Sequence, residues 1–392
     1  MKKLVVFILM ITGLLSEADA QDPFFTQFYN QPVYLNPALT GNTRNWRVSS
    51  THRRQWMESI QDVSMGVYNT SAVSVDKFTP KGIGLGFTAV YDQISFYGFR
   101  NTRVNFSAAY ELVVKRKIDN NSKKNSGWRL RFGMDAGLRE LRLAGGRDLL
   151  FEDQILLGYT NEQFGANALA TGLVPDFSFG LVSLHHFDYF LGEKPLKLWA
   201  GVAAHNFNAF NNTQNEALLT GSSIFPTRLT IHGGIEIGGS RFKDAQTQVK
   251  GSAFRTEWVY RHQGIQSQLD AGVTYSTANL GFYDYGSKNR KQRKYYSLLF
   301  GMRWRGITFE DSGNFTNDIN SFAIVAGVNF ADEMLVEFSY DIPSWQLGYS
   351  ELGGTMEVSL KFHFGHGSTH NDLPQEKYRW SERRKFPLMN LN

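Results

Sequence analysis

From Leu130 to Arg139 the chain alternates without a break. Leu130, Phe132, Met134, Ala136 and Leu138 fall on one parity, and Arg131, Gly133, Asp135, Gly137 and Arg139 on the other. A strand puts successive side chains on opposite faces, so this segment reads as a strand with one apolar face and one face of charge and glycine. The same split recurs. Val104, Phe106, Ala108, Tyr110 and Leu112 oppose Asn105, Ser107, Ala109 and Glu111. Leu229, Ile231, Ile235 and Ile237 oppose Thr230, His232 and Glu236. Leu298, Phe300, Met302 and Trp304 oppose Gly301, Arg303 and Arg305. Met356, Val358, Leu360, Phe362 and Phe364 oppose Glu357, Ser359, Lys361 and His363. Glycine, asparagine or charge clusters separate the runs, as turns require.

A soluble β-sandwich alternates too, with its apolar face inside. Two features favour a transmembrane antiparallel β-barrel of the outer membrane. The runs are many and long, roughly fifteen by count, and a tilted membrane strand needs about 9–11 residues. The non-apolar face pairs glycine with isolated charges of both signs, a mixture that a barrel interior tolerates. Aromatics near the run ends, such as Trp56, Tyr110, Trp258, Tyr260, Tyr295 and Trp304, suit interfacial girdles. No stretch approaches 18 uninterrupted apolar residues, and the mean hydropathy of −0.32 agrees that there is no transmembrane helix. The absence of cysteine excludes disulfide scaffolds, thiolate metal sites, cysteine nucleophiles and a lipoprotein anchor. Closure is expected, because an open sheet edge in lipid would leave backbone groups unpaired.

Even strand counts are usual in bacterial barrels, so about fourteen strands (range about 12–16) are expected. The doubtful pieces are 45–57 and the pair of runs divided only by Thr277 and Ala278. Residues 1–20 read as a signal peptide: Lys2 and Lys3, an apolar core from Leu4 to Leu15, and Ala18-Asp19-Ala20 as the cleavage site. Residues 21–44 read as an irregular segment, 45–364 as the barrel, and 365–392 as a tail. The long connections are 141–172 and 207–226.

After the cleavage site the chain reads Asp22-Pro23-Phe24-Phe25-Thr26-Gln27-Phe28-Tyr29-Asn30-Gln31-Pro32, then Tyr34-Leu35-Asn36-Pro37-Ala38-Leu39-Thr40-Gly41, with Arg53-Arg54-Gln55-Trp56 following. Near the end come Phe338-Ser339-Tyr340-Asp341-Ile342, Gly353-Gly354 and Glu357-Val358-Ser359-Leu360. Both ends resemble the PorP/SprF family of outer-membrane proteins of the type IX secretion system of Bacteroidota. Ser74-Val75-Asp76, Asp176-Phe177-Ser178 and Leu280-Gly281-Phe282-Tyr283 fit it more loosely. The resemblance implies a non-enzymatic outer-membrane barrel supporting export or surface anchoring of secreted proteins such as gliding adhesins with a C-terminal sorting domain. It further implies a periplasmic ring and a peptidoglycan-binding protein as partners. It brings no catalytic residues and no cofactor. The tail beyond Phe364 departs from the pattern.

Other chemistry is thin. Gly82, Gly84 and Gly86 form G-x-G-x-G, but a phosphate cradle needs a following helix N-terminus, and period two places the glycines on one strand face as a stripe making room inside a barrel. His363, His366 and His370 lack a carboxylate cage, and His185 and His186 point to opposite faces, so no metal site is expected. No G-x-S-x-G or H-E-x-x-H occurs. The basic run from Lys288 to Lys294 suits a solvated turn or lipid headgroups better than nucleic acid. An outer-membrane hydrolase is the weakest class. A porin or nutrient channel is the alternative to a secretion component. Against it, Arg131, Arg139, Lys197, Arg255, Arg303, Arg305 and Lys361 share the interior with Glu111, Asp135, Glu236, Glu257, Asp270, Glu337, Asp341 and Glu357, a balance that predicts cross-strand pairing, a filled lumen and little conductance.

Two partner-binding candidates follow. The segment from Asp22 to Gly41 carries Phe24, Phe25, Phe28, Tyr29, Tyr34 and Leu35, which must be buried in the barrel mouth as a plug or against a partner. The tail carries Tyr378, Trp380, Arg383 and Arg384, an interface-like composition expected to meet periplasmic partners. Phe132, Met134, Ile231, Ile235, Phe300 and Leu360 are expected to face lipid. Ile235→Arg is expected to impair insertion, and Glu236→Gln to be mild.

Overall fold

The computed structural model describes residues 22–43, 45–55, 68–79, 81–94, 99–117, 126–143, 169–170, 173–187, 194–207, 226–242, 248–264, 266–278, 280–284, 292–311, 314–330, 334–343 and 354–364. Its strands are β1 (Trp46–Gln55), β2 (Tyr68–Phe78), β3 (Ile83–Ile94), β4 (Phe99–Lys117), β5 (Ser126–Leu143), β6 (Leu169–Ala170), β7 (Val174–Phe187) and β8 (Leu196–His205), then β9 (Arg228–Phe242), β10 (Gln248–Gln263), β11 (Gln266–Ser276), β12 (Leu280–Asp284), β13 (Gln292–Asp311), β14 (Asn314–Phe330), β15 (Met334–Pro343) and β16 (Thr355–Phe364). Each wall strand pairs antiparallel with its neighbours in sequence. The ring closes where β1 meets β16, with Trp46 opposite Phe364. β6 pairs only with β5, and β11 and β12 lie end to end along the same edge of β13, with Ser276 opposite Leu299 and Leu280 opposite Tyr296, so together they form one wall strand interrupted after Ser276. Fourteen strands therefore form a closed up-and-down barrel with no free sheet edge around the ring.

The two doubtful pieces resolve in opposite ways. Residues 46–55 are a full wall strand. The two runs on either side of Thr277 and Ala278 merge into one wall strand, both lying on the same edge of β13. Gly82 also differs from expectation: it sits in the turn between β2 and β3 at φ +85°, which favours glycine, and only Gly84 and Gly86 lie on β3.

Side chains sort by parity around the wall. Phe132, Met134, Ile231, Ile235, Phe300 and Leu360 all point outward and are exposed, whereas Arg131, Asp135, Glu236, Arg303 and Lys361 point inward and are buried. With an even number of strands, β1 begins and β16 ends at one rim, here called the near rim. The connections between β5 and β7 and between β8 and β9 lie at the opposite, far rim. No helix among the described residues is long and apolar enough to cross a membrane.

Candidate functional site

Eight-stranded barrels are filled by their own side chains, and 16–18 strands leave an aqueous channel. Fourteen strands enclose more space than wall side chains alone can fill. Residues 22–43 occupy it. They form a turn at Phe28–Asn30, one helical turn at Pro32–Leu35 and a second tight turn at Pro37–Leu39. Pro32 and Pro37 open the last two, where a missing N–H costs nothing. The Asn36 side chain accepts from the Ala38 N–H at 2.9 Å, fixing the bend between them.

The segment runs the height of the lumen. Asp22 lies at the far rim, where its N–H donates to Gln263 Oε1 at 2.9 Å. Gly41 lies towards the near rim, where its N–H donates to Asp76 Oδ2 at 2.5 Å, and Arg47 braces the same carboxylate at 2.7 Å. Between them the contacts match charge for charge. On one wall, Arg139, Arg228 and Arg103 surround the Asp22 carboxylate at 2.7, 3.0 and 3.8 Å. On the opposite wall the carboxylates take donors from the segment. Glu357 accepts the Thr26 and Gln27 N–H groups at 2.8 and 2.7 Å, Asp341 accepts the Thr26 hydroxyl at 2.6 Å, and Glu337 accepts the Tyr29 hydroxyl at 3.1 Å and the Asn30 amide. Arg131 donates to the Ala38 carbonyl at 2.8 Å, and Asn36 to the Val202 carbonyl at 3.1 Å. Backbone groups of an irregular segment, which would otherwise be buried unpaired, are thus satisfied by wall side chains.

The apolar half of the segment is buried at the same time. Phe25, Phe28, Tyr29, Val33, Leu35 and Leu39 are buried. Full burial of such side chains stabilises by about 1.5–3 kcal/mol each. Arginines cover the rings: Arg303 stands 4.3 Å from the Tyr29 centroid, Arg228 4.7 Å from Tyr34 and Arg261 5.1 Å from Phe24. A gap lined by Phe25, Phe28, Tyr34, Leu35, Arg228, Thr230 and Arg261 has a cavity volume of about 10 Å³, room for about one water.

The wall makes way through glycines. A Cβ at Gly84 would overlap the Thr40 carbonyl oxygen, at Gly133 the Pro37 carbonyl and Ala38 nitrogen, and at Gly180 the Asn36 side chain. We expect Gly84→Val to leave the wall strands paired but to unseat residues 38–41, read as protease cleavage of the segment in the folded barrel at a rate at least tenfold above wild type. An unchanged cleavage rate would show that this close approach is not required.

Among the residues expected to bind partners, Phe25, Phe28, Tyr29, Tyr34 and Leu35 are buried against the wall, and Phe24 is half-buried beneath Arg261. Tyr378, Trp380, Arg383, Arg384, His366 and His370 lie outside the described residues, as do Lys288, Arg290 and Lys291. His186 is buried, and His185 stacks on Trp128 with centroids 5.3 Å apart. The balanced interior charges do pair: Arg131 with Glu111 at 2.7 Å, Lys197 and Arg255 with Glu236 at 2.7 and 2.6 Å, Arg303 with Glu257 at 3.0 Å, and Arg305 with Asp270 and Asp341 at 2.7 and 3.1 Å. Sequence reasoning placed Arg139 and Asp341 in the interior but missed Arg103, Arg228 and Arg53 there, and with them the hold on Asp22 and the pair Arg53–Asp341, 3.1 Å apart. Their inward parity was readable, their depth was not.

The sequence profile described as "Type IX secretion system membrane protein PorP/SprF" matches residues 17–362. The chain belongs to the PorP/SprF family. No curated protein matches it. Solved structures share the barrel only distantly. The CymD monoaromatic hydrocarbon channel is 14% identical, over 91% of this chain and 97% of that one, at a TM-score of 0.34. A Pseudomonas aeruginosa FadL homologue is 8% identical, over 84% and 93%, at 0.33. A bacterial polysaccharide outer membrane secretin is 8% identical, over 83% and 99%, at 0.32. At such scores none of them says what passes through, or binds to, this PorP/SprF barrel. Family and fold together point to the outer membrane.

Proposed function

We propose that this PorP/SprF protein is a non-enzymatic, internally sealed barrel that supports export or surface anchoring of proteins handled by the type IX secretion system, gliding adhesins among them. The observation that carries this reading is the lumen: a chain segment fills it from rim to rim, bound through ion pairs and backbone hydrogen bonds. A barrel so filled serves as a platform, meeting partners at its rims and outer wall. Outer-membrane barrels carry their long loops outside and short turns in the periplasm. The far rim, with the long connections, is then the cell-surface side. The near rim faces the periplasmic ring and peptidoglycan-binding partners, and the tail leaves from it. Export through a cleaved leader of residues 1–20 belongs to the same reading.

The alternative is a diffusion channel. Planar-bilayer recording of the intact purified protein separates the two. We expect no steady conductance; a persistent porin-sized current would overturn the sealed-platform reading in favour of a channel.

A further inference from the structure

The outer wall changes character at β1 and β2. On β16 the outward row is Met356, Val358, Leu360, Phe362 and Phe364, and on β3 it is Ile83, Leu85, Phe87, Ala89 and Tyr91 before Gln93. Between these two apolar rows, β1 turns Trp46, Val48, Ser50, His52 and Arg54 outward, and β2 turns Asn69, Ser71, Val73, Val75 and Lys77 outward. His52 and Arg54 are exposed, and His52 Nδ1 hydrogen-bonds Ser71 Oγ across the strands at 2.9 Å. Elsewhere among the described residues, outward polar side chains stand mostly near strand ends, as His185 and His262 do, or singly, as Thr256 does.

Trp46 and Lys77 stand at the near end of this patch and Arg54, second from the end of β1 and opposite Met356, at its far end; Ser50, His52 and Ser71 lie between them. Lys77 Nζ lies 4.9 Å from the Trp46 ring centroid, an aromatic–cation pair of the kind found at a membrane–water interface, and it marks the near edge of the lipid band. Each residue of a strand tilted by about 40° climbs roughly 2.5 Å, given a rise of about 3.3 Å along the strand. His52 therefore stands about 15 Å above Trp46, within a band about 25 Å tall. The apolar neighbours agree, since His52 pairs with Val358, Ser50 with Leu360 and Arg54 with Met356. Lipid offers no hydrogen bond to the Ser50 hydroxyl or to the second ring nitrogen of His52, whose Nδ1 is taken by Ser71, and a covering protein surface would.

We infer that the outward face of β1 and β2 is a docking site, inside the membrane, for a different integral outer-membrane protein that presents carboxylates at the depth of His52 and Arg54. A second copy of this chain fits poorly. Two copies in one membrane share their orientation, so a two-fold contact would set His52 against His52 and Arg54 against Arg54. Among the described residues no carboxylate on β16, β1, β2 or β3 faces outward to relieve that repulsion, because Asp76, Asp92 and Glu357 are buried in the lumen. The partner must supply the acid.

The test replaces His52, and separately Ser71, by a photo-crosslinking residue in the full chain in native outer membranes, with Phe300 replaced as the lipid-facing control. Heat-modifiable gel migration verifies folding of each variant. The crosslinked peptides are then sequenced. The expected result is one discrete product from position 52 or 71, mapping to a membrane-spanning segment of another protein within a few residues of Asp or Glu, absent at position 300, and reduced at least tenfold by Arg54→Glu. A product mapping to this same chain, to a soluble protein, or to lipopolysaccharide or lipid alone would overturn the inference. So would the absence of a product at both positions, equal yield at position 300, or indifference to Arg54→Glu.

Discussion

Deleting residues 22–41 from the full chain, with everything before and after retained, is expected to turn a silent barrel into a conducting one. The wall does not need the segment to close, because the ring from β1 round to β16 is hydrogen-bonded throughout. The deletion exposes luminal groups that water can reach, so Arg103, Arg139 and Arg228 on one side and Glu337, Asp341 and Glu357 on the other become hydrated instead of being left buried without partners. Once hydrated, these charges no longer need the segment, and the fourteen-stranded diameter leaves space for water in its place. The expected readout is a steady current in a planar bilayer that falls back when a synthetic peptide of residues 22–41 is added. In the full chain, Asp22→Arg places a fourth cation among the three arginines and is expected to give intermittent openings. This second variant covers the case in which the deletion fails to assemble. Silence from both, with the barrel shown to be folded, would mean that the lumen is closed by something other than this segment.

The likeness of the two chain ends to the family and the content of the lumen have one physical explanation. Thr26, Gln27 and Asn30 from the first motif meet Glu337, Asp341 and Glu357 from the closing hairpin, and Arg53 joins them. Asp76 and Asp176, from the looser motifs, receive Arg47 and Arg103. The residues that stand out in the sequence are largely those that fasten the segment to the wall. Alternation alone was enough to assign the wall strands and their faces, because parity fixes which side a residue takes. It failed at two places for opposite reasons. On β1 the outward residues Ser50, His52 and Arg54 are polar, so both faces look alike and a wall strand appears doubtful. At Thr277 and Ala278 turn-like residues make one strand read as two, although 280–284 carries on along the edge of β13 that β11 holds. The pairing of Asp22 with Arg139 and Arg228 was not legible at all. It depends on depth and on position around the ring, and side-chain parity carries neither.

Parity does make one quantitative demand. Ile235 lies midway along β9, flanked by Leu198 on β8 and Thr256 on β10, with its side chain turned to lipid. Ile235→Arg sets a guanidinium against hydrocarbon near the middle of the membrane and is expected to lower folding stability by about 2–4 kcal/mol, measured by urea-dependent refolding into lipid vesicles. Its neighbour was expected to tolerate Gln, and the structure revises that expectation. Glu236 is buried and holds Lys197 at 2.7 Å and Arg255 at 2.6 Å, so an amide leaves two luminal cations facing a neutral group. Truncating a buried ionic partner costs about 3–5 kcal/mol. Because the Gln oxygen still accepts one hydrogen bond, Glu236→Gln should fall below that, at about 2–3 kcal/mol. Salt separates the two effects. The guanidinium introduced by Ile235→Arg lies in lipid with no ion to screen it, and its penalty should not change between low and high ionic strength. The strain at Lys197 and Arg255 should ease as anions enter the lumen of the refolding barrel. A mild Ile235→Arg, or a Glu236→Gln penalty that persists unchanged in high salt, would contradict this assignment of faces and charges on β9.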